Sequence, residues 1–383
     1  MNLSRADVPP APSGAGPIRV LVVDDSAVIR GLITRLLESD RELAVVGSVG
    51  NGQMAIGTCQ RQAVDVVVLD IEMPVMDGLT ALPQILAAAP DVKVIMASTL
   101  TTRNAQISLK ALQAGAADYV AKPSSSAEIQ NAQEFRRELV EKVKALGAAG
   151  RKRRADRGEA PARSDLPFRP PASAAKPQAR VGIALRPPAQ RPPEIIAIGS
   201  STGGPQALLA VLTKFPNSIR LPILITQHMP ATFTSILAEH LARASGWQCA
   251  EAVDGEPVRA NRIYVAPGDF HMKVAVENGA RLIRLTKEPP ENFCRPAVDP
   301  MFRSVAQVFG AGVLGVVLTG MGSDGAKGAR SIVDAGGSII AQDEATSVVW
   351  GMPGAAAAAG VCSAVLPLPE ITAYLRRVWG NVQ

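Results

Sequence analysis

The chain has 383 residues, is 47% hydrophobic and carries a formal net charge of +6, which suits a soluble α/β protein of two or three domains, each with its own core. The basic excess does not indicate a nucleic-acid-binding face, because residues 147–193 hold eleven Lys or Arg against three Asp or Glu, so the charge belongs to one segment. Four scattered cysteines without a C-x-x-C pair speak against a zinc site and a disulfide framework, and with no secretory leader and no run of ~18 apolar residues the expected location is cytoplasmic, without membrane insertion.

Residues 1–17 are rich in Pro, Gly, Ala and Ser and read as a disordered tail. A regular rhythm then begins. Strands are expected at Ile18–Val23, Leu43–Val49, Val64–Leu69, Val92–Ala97 and Asp118–Ala121. Helices are expected from Ser26, at Met54–Arg61, near Leu79–Ala88, near Asn104–Ala114 and in a last segment ending at about Leu146. Five strands alternating with five helices over residues 18–146 is the doubly wound pattern. Residues 147–193 contain nine prolines and the run Arg151–Arg154, which predicts a solvated, extended linker without a packed core.

The second domain, residues 194–383, opens with the apolar strand Ile195–Ile198 and the turn Gly199-Ser200-Ser201-Thr202-Gly203-Gly204. A helix follows from Pro205 to Lys214, then strand Leu221–Thr226, Gln227-His228-Met229-Pro230 and helix Thr232–Ala244. A β-rich section at 247–285 turns at Pro267-Gly268 and Asn278-Gly279. A Pro- and Arg-containing loop, Glu288–Pro296, leads to helix Asp299–Phe309 and strand Val313–Leu318. Then come Thr319-Gly320-Met321-Gly322-Ser323-Asp324-Gly325, a helix, strand Ser338–Gln342 and a C-terminal helix near Ile371–Trp379.

Open α/β sheets gather function at the carboxyl ends of their strands. In the first domain those ends carry Asp24, Asp25, Asp70, Ser98 and Lys122. Carboxylates at this density repel unless a cation sits among them, and hard oxygen donors suit Mg²⁺. A metal-held carboxylate beside Lys122 could attack phosphorus and form an aspartyl phosphate. The stretches Val22–Ser26, Val68–Gly78, Ala97-Ser98 and Tyr119–Pro123 resemble the receiver domain of two-component response regulators. That resemblance implies that Asp70 is the phosphoacceptor and that Asp25, Asp70 and the main-chain oxygen of Glu72 hold Mg²⁺, with Asp24 assisting through water. It implies contact of Ser98 and Lys122 with the phosphoryl group, and reorientation of Tyr119.

In the second domain, Gly199-x-Ser201-x-Gly203 has the spacing of a nucleophile elbow. Among three histidines, His240 lies within a helix, His271 follows a Pro-Gly turn as a possible surface residue, and His228 ends a strand as Ser201 does. Asp324 follows a third strand. A hydroxyl, an imidazole and a carboxylate would then meet on one edge, with oxyanion donors near Met321 and at the helix start after Ser201, including Thr202. The competing reading is a dinucleotide site, because Gly320-x-Gly322-x-x-Gly325 follows a strand, opens a helix and precedes Asp343 by eighteen residues.

A second resemblance decides between them. Gly199–Pro205, Gln227-His228-Met229, Ala266–Asp269, Arg295–Asp299, Thr319–Ala326 and Gly351-Met352-Pro353 are similar to the catalytic domain of protein-glutamate methylesterases. With the receiver in front, the whole chain resembles the chemotaxis methylesterase response regulators, the CheB family. Ala297 stands where that family often carries Ser, and the linker is long and basic for it. The resemblance implies an α/β fold of two parallel-sheet domains, the second with a β-hairpin insertion. It maps Ser201, His228 and Asp324 onto the catalytic residues and Met321 onto the oxyanion site. It implies demethylation of glutamate γ-methyl esters and deamidation of glutamines on methyl-accepting chemotaxis receptors, with a histidine kinase as phosphodonor and no metal for hydrolysis. A receiver-controlled transcription factor is disfavoured, since the C-terminal half has no basic recognition-helix unit.

Overall fold

The computed structural model describes residues 16–99, 101–122, 132–157, 183–215 and 220–380. The expected tail, except for residues 16 and 17, lies outside that range, as do Pro123 and residues 158–182 of the expected linker. Among the described residues, no helix is long and apolar enough to cross a membrane.

Two wholly parallel sheets organise the chain. The first contains β1 (Ile18–Val23), β2 (Leu43–Val49), β3 (Val66–Asp70), β4 (Lys93–Ser98) and β5 (Asp118–Ala121) in the order β2-β1-β3-β4-β5. Helices α1 (Ala27–Glu38), α2 (Gly52–Arg61), α3 (Gly78–Ala88), α4 (Thr102–Gln113) and α5 (Ala132–Asp156) follow the strands in alternation. Central strand β3 is buried at every position, which is why it reads as an unbroken apolar run and not as an alternation. Helix starts are set by short polar caps: Asn51 accepts from Met54 N at 2.9 Å and Asp77 from Thr80 N at 2.7 Å.

The second sheet has the order β14-β13-β12-β6-β7-β9-β8. Its strands are β6 (Ile195–Ser200), β7 (Ile223–Gln227), β8 (Gln248–Glu251), β9 (Arg262–Val265), β12 (Val313–Val317), β13 (Ser338–Gln342) and β14 (Ala364–Leu366). The hairpin β10 (His271–Glu277) and β11 (Ala280–Thr286) stands apart as an antiparallel insertion. Helices α6 (Gly204–Leu212), α7 (Ala231–Ser245), α8 (Val298–Phe309), α9 (Ala326–Asp334), α10 (Met352–Ala358) and α11 (Leu368–Gly380) complete the domain. The first strand in sequence, β6, lies between β12 and β7. The strand order therefore reverses beside it, and a crevice opens at its carboxyl end.

The largest departure from expectation is at residues 147–156. The basic run is no extended linker there; it continues helix α5 to Asp156. Its arginines have a partner that the local sequence does not reveal. Arg151 Nη2 donates to the buried carboxylate of Asp65 at 2.7 Å, Arg19 Nη2 to the same carboxylate at 2.9 Å, and Arg154 also pairs with it. Burial opposes the charge of Asp65, yet these guanidinium groups hold its carboxyl well below the usual range. The same helix end reaches the second domain, where Lys152 pairs with Glu344 and Arg153 donates to Ser347 O. Helix α10 and strand β14, at seven and three residues, are too short for a periodic pattern to announce them.

The domains also meet through side chains. Helix α4 packs on α6 and α7, and Leu109, Leu112 and Tyr119 share one apolar cluster with Leu208, Phe233 and Leu237. The Tyr119 and Phe233 rings stack with centroids 4.3 Å apart and planes 6° from parallel. Gln206 Nε2 donates to Ala116 O at 2.8 Å.

Candidate active site

The turn after β6 is shaped by its neighbours. Gly203 has φ +75°, and a Cβ on it would stand 2.5 Å from Val348 Cγ2, so only glycine fits there without strain. The two serines are treated differently. Ser200 is fully buried and donates its Oγ to Gln227 Oε1 at 2.7 Å. Ser201 keeps 9% of its surface, and among the described residues its Oγ has no hydrogen-bond partner. Its main-chain N donates to Thr319 O at 3.0 Å, which laces the end of β6 to the end of β12. His228 N donates to Ser200 O at 3.1 Å, lacing β7 to β6 in the same way.

Thr202 is buried and gives its Oγ1 hydrogen to Asp118 Oδ2 at 2.6 Å, a bond that crosses to the first domain. Its main-chain N–H, like that of Met321, has no acceptor among the described residues. Thr202 follows Ser201 in the chain, and Gly320, the neighbour of Met321, packs on Ser201, where a Cβ on it would stand 2.9 Å from Ser201 Cβ. The Met321 side chain is half-buried against the same apolar cluster as Val348 and Val349.

His228 and Asp324 are brought together. His228 Nε2 donates to Asp324 Oδ2 at 2.7 Å. The rest of Asp324 is saturated: Val298 N donates to it at 2.6 Å, Gly325 N at 2.9 Å, Asp299 N at 3.1 Å and Asn292 Nδ2 at 2.8 Å. Burial raises the cost of its charge, but the His228 bond and these amides keep the carboxyl below its ordinary value. The opposite imidazole nitrogen, Nδ1, lies 3.4 Å from Cys294 Sγ. In the imidazolium both ring nitrogens donate, Nε2–H to the carboxylate and Nδ1–H to the Cys294 sulfur, so the protonated ring is the form these two neighbours stabilise. Burial works against the imidazolium, but Cys294 and Asp324 together carry the pKa of His228 up to about 10.

Asp299 is a second buried carboxylate, held by Gly328 N at 2.6 Å and by Asn292 Nδ2 at 3.1 Å. Burial, with repulsion from Asp324, raises its pKa. Asn292 and Cys294 were not singled out by sequence reasoning, and Asp299 and Gln227 appeared there only inside motif stretches without a role. Asn292 and Cys294 sit in a loop with no strand or helix pattern, and their only local signal is an Asn and a Cys just before Arg295-Pro296.

The other histidines are elsewhere. His271 is not a surface residue: it is fully buried, accepts from Ala297 N at 3.2 Å and donates from Nε2 to Pro289 O at 3.1 Å. His240 is half-buried on α7, where burial and Arg243 lower its pKa. The dinucleotide reading has no room. A Cβ on Gly320 would stand 2.4 Å from Met352 Sδ and 2.9 Å from Ser201 Cβ. Asp343 is occupied with its own turn, accepting from Thr346 N at 3.0 Å and Thr346 Oγ1 at 2.5 Å.

The first domain forms a second, separate pocket. Carboxylate oxygens of Asp24, Asp25 and Asp70 all lie within 4.8 Å of one another. Lys122 Nζ donates to Asp70 Oδ1 at 2.6 Å and to Asp24 Oδ2 at 3.1 Å. Burial raises the Asp70 carboxyl, with Lys122 opposing. Three carboxylates against one ammonium leave negative charge for a hard divalent cation to neutralise, so the donor set fits Mg²⁺. The exposed Glu72 carboxylate is not in that cluster. Ser98 is buried at the rim and donates its Oγ to Thr99 O at 3.1 Å.

Comparison with known proteins gives two family matches: a CheB methylesterase domain over residues 196–375 and a response regulator receiver domain over residues 20–134. A protein-glutamate methylesterase/protein-glutamine glutaminase of Azospirillum brasilense is 60% identical over 383 residues, covering 96% of each chain. One of the group 2 operon of Rhodospirillum centenum is 58% identical over 388 residues, covering 98% of this chain and 97% of its own.

Proposed function

The chain belongs to the CheB methylesterase family with an N-terminal receiver domain, and from that premise we propose that Ser201, His228 and Asp324 carry its hydrolysis and Asp70 its control. It is a protein-glutamate methylesterase and protein-glutamine glutaminase regulated by phosphorylation. One observation carries the catalytic reading: the 2.7 Å bond from His228 to a fully saturated Asp324, at strand ends directly beside Ser201.

In this reading Ser201 Oγ attacks the side-chain carbonyl of a methylated glutamate as His228 Nδ1 takes its proton. The oxyanion is received by the main-chain N–H groups of Thr202 and Met321. Asp324 orients the ring and balances the imidazolium. Protonated His228 then returns the proton to the departing methanol, or to ammonia when the substrate is glutamine. Water repeats the cycle on the acyl-enzyme. Relative to the serine-protease template the two ring nitrogens exchange roles, because the carboxylate holds Nε2 and not Nδ1.

The substrates are methyl-accepting chemotaxis receptors, and a histidine kinase supplies the phosphoryl group. A receiver domain uses Mg²⁺ for phosphorylation; here Asp25, Asp70 and the main-chain oxygen of Glu72 would hold it, with Asp24 assisting through water. The ion would neutralise phosphoryl oxygens, while Lys122 and Ser98 contact the phosphoryl group. The receiver hinders a bulky protein substrate, a reading supported by the bond from Thr202 to Asp118 and by the stack of Tyr119, the reorienting switch residue, on Phe233. The test is methanol release from methylated receptor membranes with and without acetyl phosphate. Release that depends on Ser201 and rises with the phosphodonor is the expected result; release unaffected by Ser201→Ala would overturn the assignment.

A further inference from the structure

A single turn, Glu291-Asn292-Phe293-Cys294, touches more of the regulatory and catalytic apparatus than any of its residues would alone. Its ends pair: Cys294 N donates to Glu291 O at 2.9 Å and Glu291 N to Cys294 O at 3.2 Å. Both central residues have left-handed backbone, with φ +51° at Asn292 and +63° at Phe293. Tight two-residue hairpin turns require that conformation and usually recruit glycine for it; phenylalanine there is a genuine outlier, kept only where surrounding contacts over-determine it. Each residue has such a contact. Glu291 Oε2 accepts from Arg303 Nη1 at 3.0 Å. Asn292 Nδ2 donates to both Asp299 and Asp324. Phe293 is 73% exposed, and the Arg137 guanidinium of receiver helix α5 lies over its ring at 4.2 Å. Cys294 Sγ lies 3.4 Å from His228 Nδ1.

The imidazole has one nitrogen left once Asp324 holds Nε2. Cys294 and Ser201 cannot both use it, and in this structure the thiol has it while Ser201 Oγ has no partner among the described residues. Resting on the assignment of Ser201, His228 and Asp324 above, we propose that Cys294 is a positioning residue that keeps His228 Nδ1 away from Ser201 in the unphosphorylated enzyme, and that Arg137 holds it there through Phe293. The ring of Phe293 protrudes from the turn, so the receiver grips the most exposed point of a strained segment whose other end rests on the base. When the receiver shifts, that grip is lost, the turn relaxes, and Nδ1 passes from thiol to serine. The high pKa of His228 agrees, since an imidazole held between Cys294 and Asp324 is a poor acceptor for the serine proton near neutral pH. This control differs from covering the site, because it acts on the chemical step.

The experiment uses the full-length protein, methylated receptor membranes and methanol release as a function of pH. Cys294→Ala is expected to raise the unphosphorylated kcat about tenfold and to move the ascending limb of the pH profile about one unit toward acid. Acetyl phosphate should then stimulate correspondingly less. Cys294→Ser, whose hydroxyl oxygen can also accept from Nδ1–H, should return part of the way to wild type. Arg137→Ala should act in the same direction as Cys294→Ala while KM changes little. A second measurement needs no variant: alkylation of the Cys294 peptide by iodoacetamide, followed by mass spectrometry, should change in rate when acetyl phosphate is added. Ser201→Ala distinguishes the levels of failure. If it retains activity, the catalytic assignment is wrong. If it is inactive, but Cys294→Ala leaves kcat and the pH limb in place or lowers kcat, the positioning role is wrong. An alkylation rate indifferent to acetyl phosphate overturns the link to the receiver.

Discussion

In the N-terminal sheet the strand-order reversal beside β1 is lined by Asp24, Asp25 and Asp70, with a single ammonium, Lys122, among them. In the C-terminal sheet the reversal beside β6 is lined by Asp324, which accepts from three main-chain amides, Asn292 and His228, with a second buried carboxylate, Asp299, held by Gly328 N and Asn292 beside it. The two sheets share geometry and differ in how completely their charges are met. The first pocket is short of positive charge and so depends on what arrives from solution, a cation and then a phosphoryl group. In the second the carboxylate is already met by protein donors, so Asp324 itself needs little rearrangement when charge develops in a transition state. A parallel sheet therefore decides where chemistry happens, while the degree to which its carboxylates are met inside the protein decides whether the site waits on an ion from solution.

The sharpest way to separate the regions is Ser201→Ala. It should lower methanol release by about 10⁶-fold, as loss of a nucleophile does in triad enzymes, while Asp70 still incorporates phosphate from acetyl phosphate; loss of both would mean the pockets are not independent. Next is Asp324→Asn, which keeps shape but disturbs the tautomer and should cost about 10⁴-fold in kcat, again with phosphorylation intact. Chelation with EDTA attacks the comparison from the other side. It should remove phosphorylation and all stimulation by acetyl phosphate while the unphosphorylated rate stays put, and a fall in that rate would show that hydrolysis uses a metal. Gln206→Ala removes the donor to Ala116 O between α6 and the receiver and should raise the unphosphorylated rate about threefold, within the usual worth of one such bond.

The smallest effect concerns stability alone. Asp65→Asn should destabilise the receiver by about 1–3 kcal/mol at pH 7, read by denaturant unfolding, and leave hydrolysis unchanged. The folded carboxyl lies below its unfolded value, so its contribution is present above the ordinary carboxylate pKa and is lost as pH falls below it. The difference between Asp65→Asn and wild type should accordingly shrink below about pH 4.

Much of this was legible in the sequence because it depended on local signals. Buried strands such as β3 appear as apolar runs, and strand ends with Asp24 and Asp70 in one sheet and Ser201, His228 and Asp324 in the other each fall at one rim of their own sheet once its strands are parallel. What stayed hidden depended on partners distant in sequence. Arg151 and Arg154 read as linker charge because Asp65, their shared partner, is more than eighty residues away. His271 read as a surface residue because its buried acceptor is the carbonyl of Pro289. Cys294 could not be found from spacing, since nothing near it in sequence marks its place beside His228. The choice of Ser201 over Ser200 was made from glycine spacing, and the structure adds a physical reason: Ser200 has already given its hydrogen to Gln227.

The bond from Thr202 to Asp118 has a kinetic consequence of its own. Thr202 follows Ser201 directly, so on the proposed assignment of Ser201 the receiver occupies ground that a docked substrate must occupy. The receiver then behaves as a tethered competitive ligand, and competition of this kind yields to mass action. At the density of a packed receptor array the substrate would displace it partly without phosphorylation, raising apparent KM and leaving the maximal rate alone. Dilute receptor would reveal the full regulatory range; crowded receptor would mask the part that comes from coverage and leave only what acts on the chemical step.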